Sequence, residues 1–379
     1  MTRHSITERH RIAGYARADG GFGLHNIVLA VSLIDLANDV AIRIACNMPG
    51  VVAVLTPAGG LSFGEEARLI GALRKGLTCN PNVGGVIVIG PAPPTGSALA
   101  DMAGPGRLVA AVSLLRERDT RAAIDAGVEA SRRMLDALAE QRRVEHHLGA
   151  LAIGLRSSSS SLESARVVNP LVGALVDRVV DAGGSVAFSE LADLVGVAEQ
   201  LATRAISPEV AVDIRAAMAG PCRLLASLAA EAPDPTPTNM QGGIATLAIK
   251  GRGALRRLGG RLIQGVFPFG EASPGPGLRM MDGPGSAAVC LTGLAAAGCT
   301  LLVYTVGSTS GTATMPLMPV VRVGPPLLRA SRDLDWCAAE AGDVDEFIDH
   351  VRAIASGRPT VGEPNEARQI MLPGHLPPL

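Results

Sequence analysis

Three short apolar runs near the start, Ile27–Ile34, Val51–Thr56 and Val83–Ile89, constrain the fold of this chain more than any other feature. Each reads as a buried strand, and the third closes on Gly90-Pro91. Between them, Asp35 is placed to cap a helix running through Cys46, and Gly64–Lys75 reads as a second helix. Arg107–Leu114 offers a fourth strand, and Thr120 to about His147 a long helix. Strands alternating with helices specify a doubly wound, mostly parallel, Rossmann-like α/β sheet.

The alternation then restarts. Leu148–Leu155 is strand-like, Pro170–Ala182 helical, Ser185–Ser189 a strand and Glu190–Ala230 a run of helices. Residues 231–238, rich in proline, cannot continue a helix and mark a linker or crossover. Leu247–Leu258 is a helix, Leu262–Phe267 and Pro319–Val323 are strands, and Val344–Ala355 is a last helix. The expectation is two α/β domains, 12–147 and 148–365, with a tail over 366–379.

A chain of 379 residues holds two such cores, and 47% hydrophobic content fits a globular protein. A net charge of -1 and 2% aromatic residues argue against a nucleic-acid binder. No pair of the six cysteines has metal-ribbon or redox spacing. Met1 to Arg11 lacks the apolar core of a signal peptide, so a cytoplasmic location is expected. Ser286 to Val321 carries no charge, yet Gly298 and a switch to strand-like residues at Cys299–Val306 make it a buried helix–turn–strand unit rather than a membrane span.

Functional signals concentrate between Asn239 and Gly311. Asn239-Met240-Gln241-Gly242-Gly243 leads through Thr246 to Lys250; Met281-Asp282-Gly283-Pro284-Gly285 follows; then Thr292-Gly293 to Gly298, and the turn Gly307-Ser308-Thr309-Ser310-Gly311. Such junctions bring backbone N–H groups close to an anion. In order and spacing these segments resemble the altronate/galactarate dehydratase family. Gly14, Tyr15, Arg17, Asp19, Gly20, Gly23 and Asn26 extend the resemblance upstream, as do Asn80-Pro81-Asn82 and Asn169-Pro170, so that it covers nearly all of 12–365. The departures cluster. Where the family is expected to carry His-x-His-Gly-Cys, Gly-Cys-Glu and Cys-Gly-Gly-Ser-Asp, this chain has Leu55–Gly60, Gly90-Pro91-Ala92 and Arg156–Ser161, and His25 replaces an arginine. All three segments follow strands, where open α/β sheets place their ligands.

Several residues admit two readings. Lys250, one of only two lysines, can serve as base or carboxylate anchor, or be an exposed helix lysine. Its sequence neighbours offer it little charge to pair with. His25 is a candidate base, or a hydrogen-bonded, partly buried histidine. Asp282 can ligate a metal or take a proton, or bond its own turn. Glu190 is a weaker metal candidate, or a charge at a helix start. His146-His147 more simply complements a helix end than binds metal. Ser157 and Ser158 can offer hydroxyls to a carboxylate, or belong to a polar loop. Gly251-Arg252-Gly253 does not follow a strand and is a poor dinucleotide loop.

The resemblance implies a lyase that eliminates water, or another β-substituent, from a small anionic hydroxy-carboxylate. It implies Lys250, His25 and Asp282 in catalysis, with Asn26, Asn80, Asn169, Ser157, Ser158, Asn239, Gly242, Gly243, Thr246, Thr292, Ser308 and Thr309 around the substrate. A divalent metal (Fe, Mn or Mg) would call on Asp282 and Glu190, the family's Cys and His donors having been replaced. A separate small partner subunit and a homo-oligomer are further expectations. The competing reading is a non-catalytic paralogue serving a lyase complex, or a metal-free lyase or isomerase.

Overall fold

A computed structural model describes residues 11–57, 64–228, 235–284, 286–307, 315–339, 344–365 and 368–374. The first parallel sheet uses β3 (Ile27–Ser32), β4 (Val51–Leu55), β5 (Val83–Gly90), β6 (Leu108–Ser113) and β15 (Gln369–Met371), in the order β15-β4-β3-β5-β6. Helices α1 (Asn38–Asn47), α2 (Gly64–Cys79) and α3 (Thr120–Ala139) flank it. The second sheet uses β8 (Ala152–Ser157), β9 (Ser185–Phe188), β10 (Ile263–Pro268), β11 (Gly277–Asp282), β12 (Leu301–Thr305), β13 (Val320–Gly324) and β14 (Trp336–Cys337). Its order is β10-β11-β9-β8-β12-β13-β14, with every pair parallel. Strand order therefore reverses at β8, and the crevice beyond the carboxyl ends of β9, β8 and β12 is where such a sheet binds ligands.

Side-chain alternation tells how the sheets stack. Val28, Ala30, Val51, Ala53 and Ile87 face a core shared with α1 and α3. Their neighbours Leu29, Val31, Val52, Val54, Val86 and Val88 face the opposite way, into a cluster that also holds Leu294, Leu302, Tyr304 and Val320. That middle layer includes Leu73 and Leu77 of α2 and Leu291 of α9 (Ala287–Ala296). Two buried side chains stitch it: Asn80 Nδ2 donates to Ala295 O and Cys299 O at 2.7 and 2.9 Å, and Asn82 Nδ2 to Thr300 O and Leu317 O at 2.9 Å each. On the far face of the second sheet, Ile153, Leu155, Leu301 and Val303 pack on α4 (Asn169–Asp181) and α10 (Val344–Ala355).

Several local expectations need correction. The long helix stops at Ala139, and Val144–His147 is strand β7, antiparallel to β1 (Arg11–Ala16). With β2 (Phe22–Gly23) they form a small third sheet inside a segment that reads as loop. Arg143 explains the break: its guanidinium donates to Ala13 O and Leu24 O and lies 4.9 Å from the centre of the Tyr15 ring, contacts a continued helix would forfeit. His146 and His147 thus end a strand, with no helix dipole to complement. Asp35 opens a short 3-10 turn and accepts from Leu36 N, so it does not cap α1. The expected tail supplies β15, which pairs with β4. Of the proline-rich segment, 231–234 lie outside the described residues, and Pro237–Gln241 forms the short helix α7. Among the described residues no helix is long and apolar enough to cross a membrane.

Candidate active site

The carboxyl ends of β8 and β9 open into a polar pocket of about 340 Å³, lined by Arg156, Ser157–Ser160, Glu190, Asp193, Thr236, Thr238, Asn239 and Lys250. Its serine wall begins as β8 ends. Ser158 N donates to Thr305 O on neighbouring β12, and Ser160 N to Asn239 Oδ1 at 3.3 Å. Gly307 lets this loop close on the end of β12, since a Cβ there would meet Ser159 O at 2.5 Å.

Lys250 enters on α8 (Leu247–Arg257), which packs tightly against Val195–Val197 and Ser164–Val168. A Cβ on Gly251 would meet Val197 at 2.6 Å, and one on Gly253 would meet Ala165 at 2.9 Å. The Gly-Arg-Gly run is therefore a packing device. Lys250 is 7% exposed, and its Nζ pairs with Asp193 Oδ1 at 3.0 Å. Asp193 comes from the single turn α5 (Leu191–Leu194), so the charge that sequence neighbours do not supply arrives from elsewhere in the fold.

Beneath the serine wall lies a second charge cluster. Glu190 is fully buried; it accepts from Ser157 N at 2.8 Å, pairs with Arg156 at 3.2 Å and is held by Arg257 on its other oxygen. Burial pushes the Glu190 carboxyl above its ordinary value, while Arg257, then Arg156, pull against that. Arg257 also donates to Thr305 Oγ1 at 3.3 Å, so one guanidinium ties α8 to the ends of two strands. Burial raises the Cys290 thiol too, against the pull of Arg156. Three cations (Arg156, Arg257, Lys250) against two carboxylates (Glu190, Asp193) suit the site to an anion.

Of the residues expected to share a site, Lys250, Ser157, Ser158, Asn239 and Glu190 do meet. Others do not. His25 pairs through Nε2 with Glu363 at 3.1 Å in a different cavity. Asp282 ends β11 in a separate, largely apolar pocket, with Leu191 and with Pro221 and Leu224 of α6 (Pro208–Leu228). Asn26 donates to Leu138 O and Gln141 Oε1, and Asn80 links the two halves, so both serve structure. Asn169 is buried and donates to Gly253 O. Gly242 and Gly243 have already committed their N–H groups, to Thr238 O and Met240 O. Thr246 caps α8 by accepting from Ile249 N, and Thr292 bonds back to Ala288 O inside α9. Ser308 and Thr309 lie outside the described residues.

The described residues assemble no donor set for the expected metal. Among the described residues no three His, Cys, Asp or Glu side chains come together to hold an ion. Both Glu190 oxygens are engaged by guanidinium and N–H groups, and Asp282 lines a different pocket. The described parts of the three divergent strand ends present Thr56-Pro57, Gly90-Pro91 and serines. The described residues do not fit a transition metal.

Sequence comparison bears on what such a pocket does. A profile described as D-galactarate/Altronate dehydratase, C-terminal, matches residues 148–376, and one described as D-galactarate dehydratase/Altronate hydrolase, second domain, matches 14–139. The chain belongs to the galactarate/altronate dehydratase family. Among relatives, the (2R)-sulfolactate sulfo-lyase subunit beta of Chromohalobacter salexigens is 28% identical over 378 residues, spanning 95% of this chain and 96% of its own. The altronate dehydratase of Escherichia coli K12 is 26% identical, over 94% of this chain and 76% of its own. The galactarate dehydratase (L-threo-forming) of the same organism matches 59% of this chain at 27% identity. Sequence reasoning missed three members of this charge cluster: Arg156, Arg257 and Asp193. Only Arg156 carried a signal, as the first charge after a predicted strand. Arg257 hides in an Arg-Arg pair, and Asp193 sits in an otherwise apolar turn.

Proposed function

We propose that the serine-walled pocket binds a small anionic hydroxy-carboxylate and that Lys250 carries the proton in a β-elimination. The chain is an enzyme of the lyase class by its family. Which acid it takes is the proposal: a sugar acid, or an acid with a sulfonate at the β-carbon, as in the names of its relatives. The observation that carries the reading is the buried Lys250–Asp193 pair opening onto hydroxyls beside Arg156.

In such an elimination the α C–H bond breaks and its electron pair becomes the C=C bond. The β-substituent leaves with its own pair, and a departing hydroxyl takes a proton to become water. Lys250 as the free amine takes the α-proton, and the ammonium so formed gives it to the departing hydroxyl, so that protons balance within one turnover. Asp193 holds the ammonium in place and compensates its charge. Arg156 and the serine hydroxyls hold the carboxylate, the guanidinium stabilising charge that builds on it as the α-proton leaves. A small partner subunit is part of this reading, motivated by the relative named as a beta subunit.

The test is direct. Purified protein is offered altronate, galactarate and (2R)-sulfolactate, with 2-keto acid formation followed, and Lys250→Met is run beside it. Turnover that Lys250→Met abolishes supports the site; turnover that survives it misplaces the proton carrier. No turnover on any acid, with the small subunit present, favours the non-catalytic paralogue. That reading draws on the absence of imidazole and thiol from the described parts of three strand ends.

A further inference from the structure

His25 belongs to a different place in the molecule, and its surroundings form a site of their own. A cavity of about 240 Å³ opens between the amino ends of β3 and β4 and the Pro316–Met318 segment that precedes β13. Ile27, Val51, Val52, Pro316 and Met318 make its walls apolar. Three ionisable groups face it: His25, Glu363 and Arg368. They come from the start of the first sheet and from the stretch that leads into β15, so the cavity draws on three separated parts of the chain.

The three are not equivalent. Glu363 is fully occupied: one carboxylate oxygen pairs with His25 Nε2 at 3.1 Å, and the other accepts from Thr360 N at 2.7 Å. It fixes the imidazole ring by accepting from Nε2–H and leaves Nδ1 as the nitrogen able to meet a ligand; an anion is held there by Nδ1–H of the doubly protonated ring, so its binding takes up a proton. The His25 backbone is held as well, its N–H by Asn82 Oδ1 and its carbonyl by Arg17. Arg368 sits at the rim, its carbonyl accepting from Ala53 N, and its guanidinium makes no ion pair with any described carboxylate. Among the described residues, then, the cavity offers one guanidinium without a carboxylate partner and one oriented imidazole over an apolar floor.

We infer that this cavity is a binding site for a small monocarboxylic acid with an apolar body, its carboxylate held by Arg368 and His25 and its body lying on Ile27, Val51 and Met318. A volume of about 240 Å³, below the usual small-molecule range of about 300–1,000 Å³, favours an acid of a few carbons. The site lies at the amino ends of the strands, the opposite pole of the fold from the serine-walled pocket, so its occupant is not the substrate of the elimination. Because the walls come from both halves, the bound acid would brace the junction between the two sheets. This inference stands whether or not the lyase reading holds.

Isobutyrate is the probe, titrated calorimetrically into the intact protein at low ionic strength, with inorganic phosphate as the comparison anion. The expected result is saturable isobutyrate binding, weakened at least about tenfold (about 1.4 kcal/mol) in Arg368→Gln and in His25→Gln, and unchanged in Lys250→Met. A thermal melt establishes that each variant is folded. Since Arg368 is at the rim, Arg368→Gln keeps the test decisive if His25→Gln does not fold. Absence of saturable binding, or binding indifferent to Arg368→Gln, would overturn the site. Loss of binding in Lys250→Met would move the acid to the other pocket. Phosphate binding as tightly as isobutyrate would overturn the assignment to an acid with an apolar body.

Discussion

Lys250 Nζ and Asp193 Oδ1 stand 3.0 Å apart on the floor of a polar pocket, brought together by two helices that share no sequence neighbourhood. Asp193 gives the lysine its partner, and Lys250 in turn gives a partly buried carboxylate its own. Breaking the pair from either side is therefore informative. Lys250→Arg preserves the charge but cannot surrender a proton at working pH. If Lys250 carries the proton, Lys250→Arg lowers kcat about 10²–10⁴-fold with little change in KM. An anchoring role instead leaves kcat near the parent value in Lys250→Arg and raises KM in Lys250→Met.

The Glu190 cluster is a stability element as much as an electrostatic one. Arg257 is 3% exposed and holds a fully buried carboxylate. Arg257→Met leaves Glu190 with one guanidinium and should cost about 3–5 kcal/mol of unfolding free energy, read from the urea midpoint. Glu190→Gln, which removes the buried negative charge but keeps an acceptor for Ser157 N, should cost less. Equal losses would mean that the cluster contributes through packing alone.

Asn80 makes three buried hydrogen bonds with one side chain: two donated across to Ala295 and Cys299, and one accepted from Asn82 N at 2.8 Å. Asn80→Ala strands those groups away from water, at about 1–3 kcal/mol for each left unsatisfied. The expected outcome is a clear drop in melting temperature, with earlier proteolysis between the halves. A variant as stable as the parent would place the strength of the junction in the apolar middle layer instead.

Asp282 gives a pH signature. Burial pushes its carboxyl above the ordinary aspartate value. The folded state therefore binds this proton more tightly than the unfolded one, so its contribution is full at low pH and is lost as pH rises through the raised value. Asp282→Asn removes that loss. Because Asp282 keeps an exposed side that screens the effect, the variant should be slightly more stable than the parent at about pH 7, with the gap closing toward about pH 4. Chemical denaturation across that range measures it, and a gap independent of pH would reject the assignment.

Thiol reactivity should rank by burial. All six cysteines are free. Cys299 is fully enclosed, its thiol pushed up to about 12 by burial, whereas Cys46 is exposed. A chromogenic disulfide reagent at about pH 8 should label Cys46 first and reach Cys290 and Cys299 only on unfolding. Denatured, unreduced protein should then release six thiols.

Much of the fold was legible because it rests on periodicity. Ile27–Ser32, Val51–Leu55, Val83–Gly90 and Val344–Ala355 lie where apolar patterning puts them. What stayed hidden depends on partners distant in sequence. Val144–His147 carries no strand pattern and becomes a strand because Arg11–Ala16 pairs with it. Gln369–Met371 is short, and only the exposed edge of β4 makes it a strand. In the site, Lys250 and the serines were visible as unusual residues in unusual places. Asp193 and Arg257 were not, since nothing local distinguishes a charge that will be buried from one that will be solvated. The glycines misled in one respect: Gly242 and Gly243 satisfy a tight turn against Ser161 and Leu162, and the sequence shows only that backbone approaches something closely.

The pairing of β15 with β4 has a consequence for how the protein is made. On a ribosome the N-terminal half emerges first and has almost all of its sheet, yet one edge stays bare until residues 369–371 are synthesised. β1 waits similarly, since Ala13 N donates to Ser356 Oγ and Arg352 donates to Arg11 O. For most of translation the nascent chain therefore exposes the backbone of an apolar strand, Val51–Leu55, to any other chain able to pair with it. Yield on expression should then hinge on residues 369–371, and a truncation that removes β15 should shift the protein from the soluble to the aggregated fraction while leaving every residue of the serine-walled pocket in place.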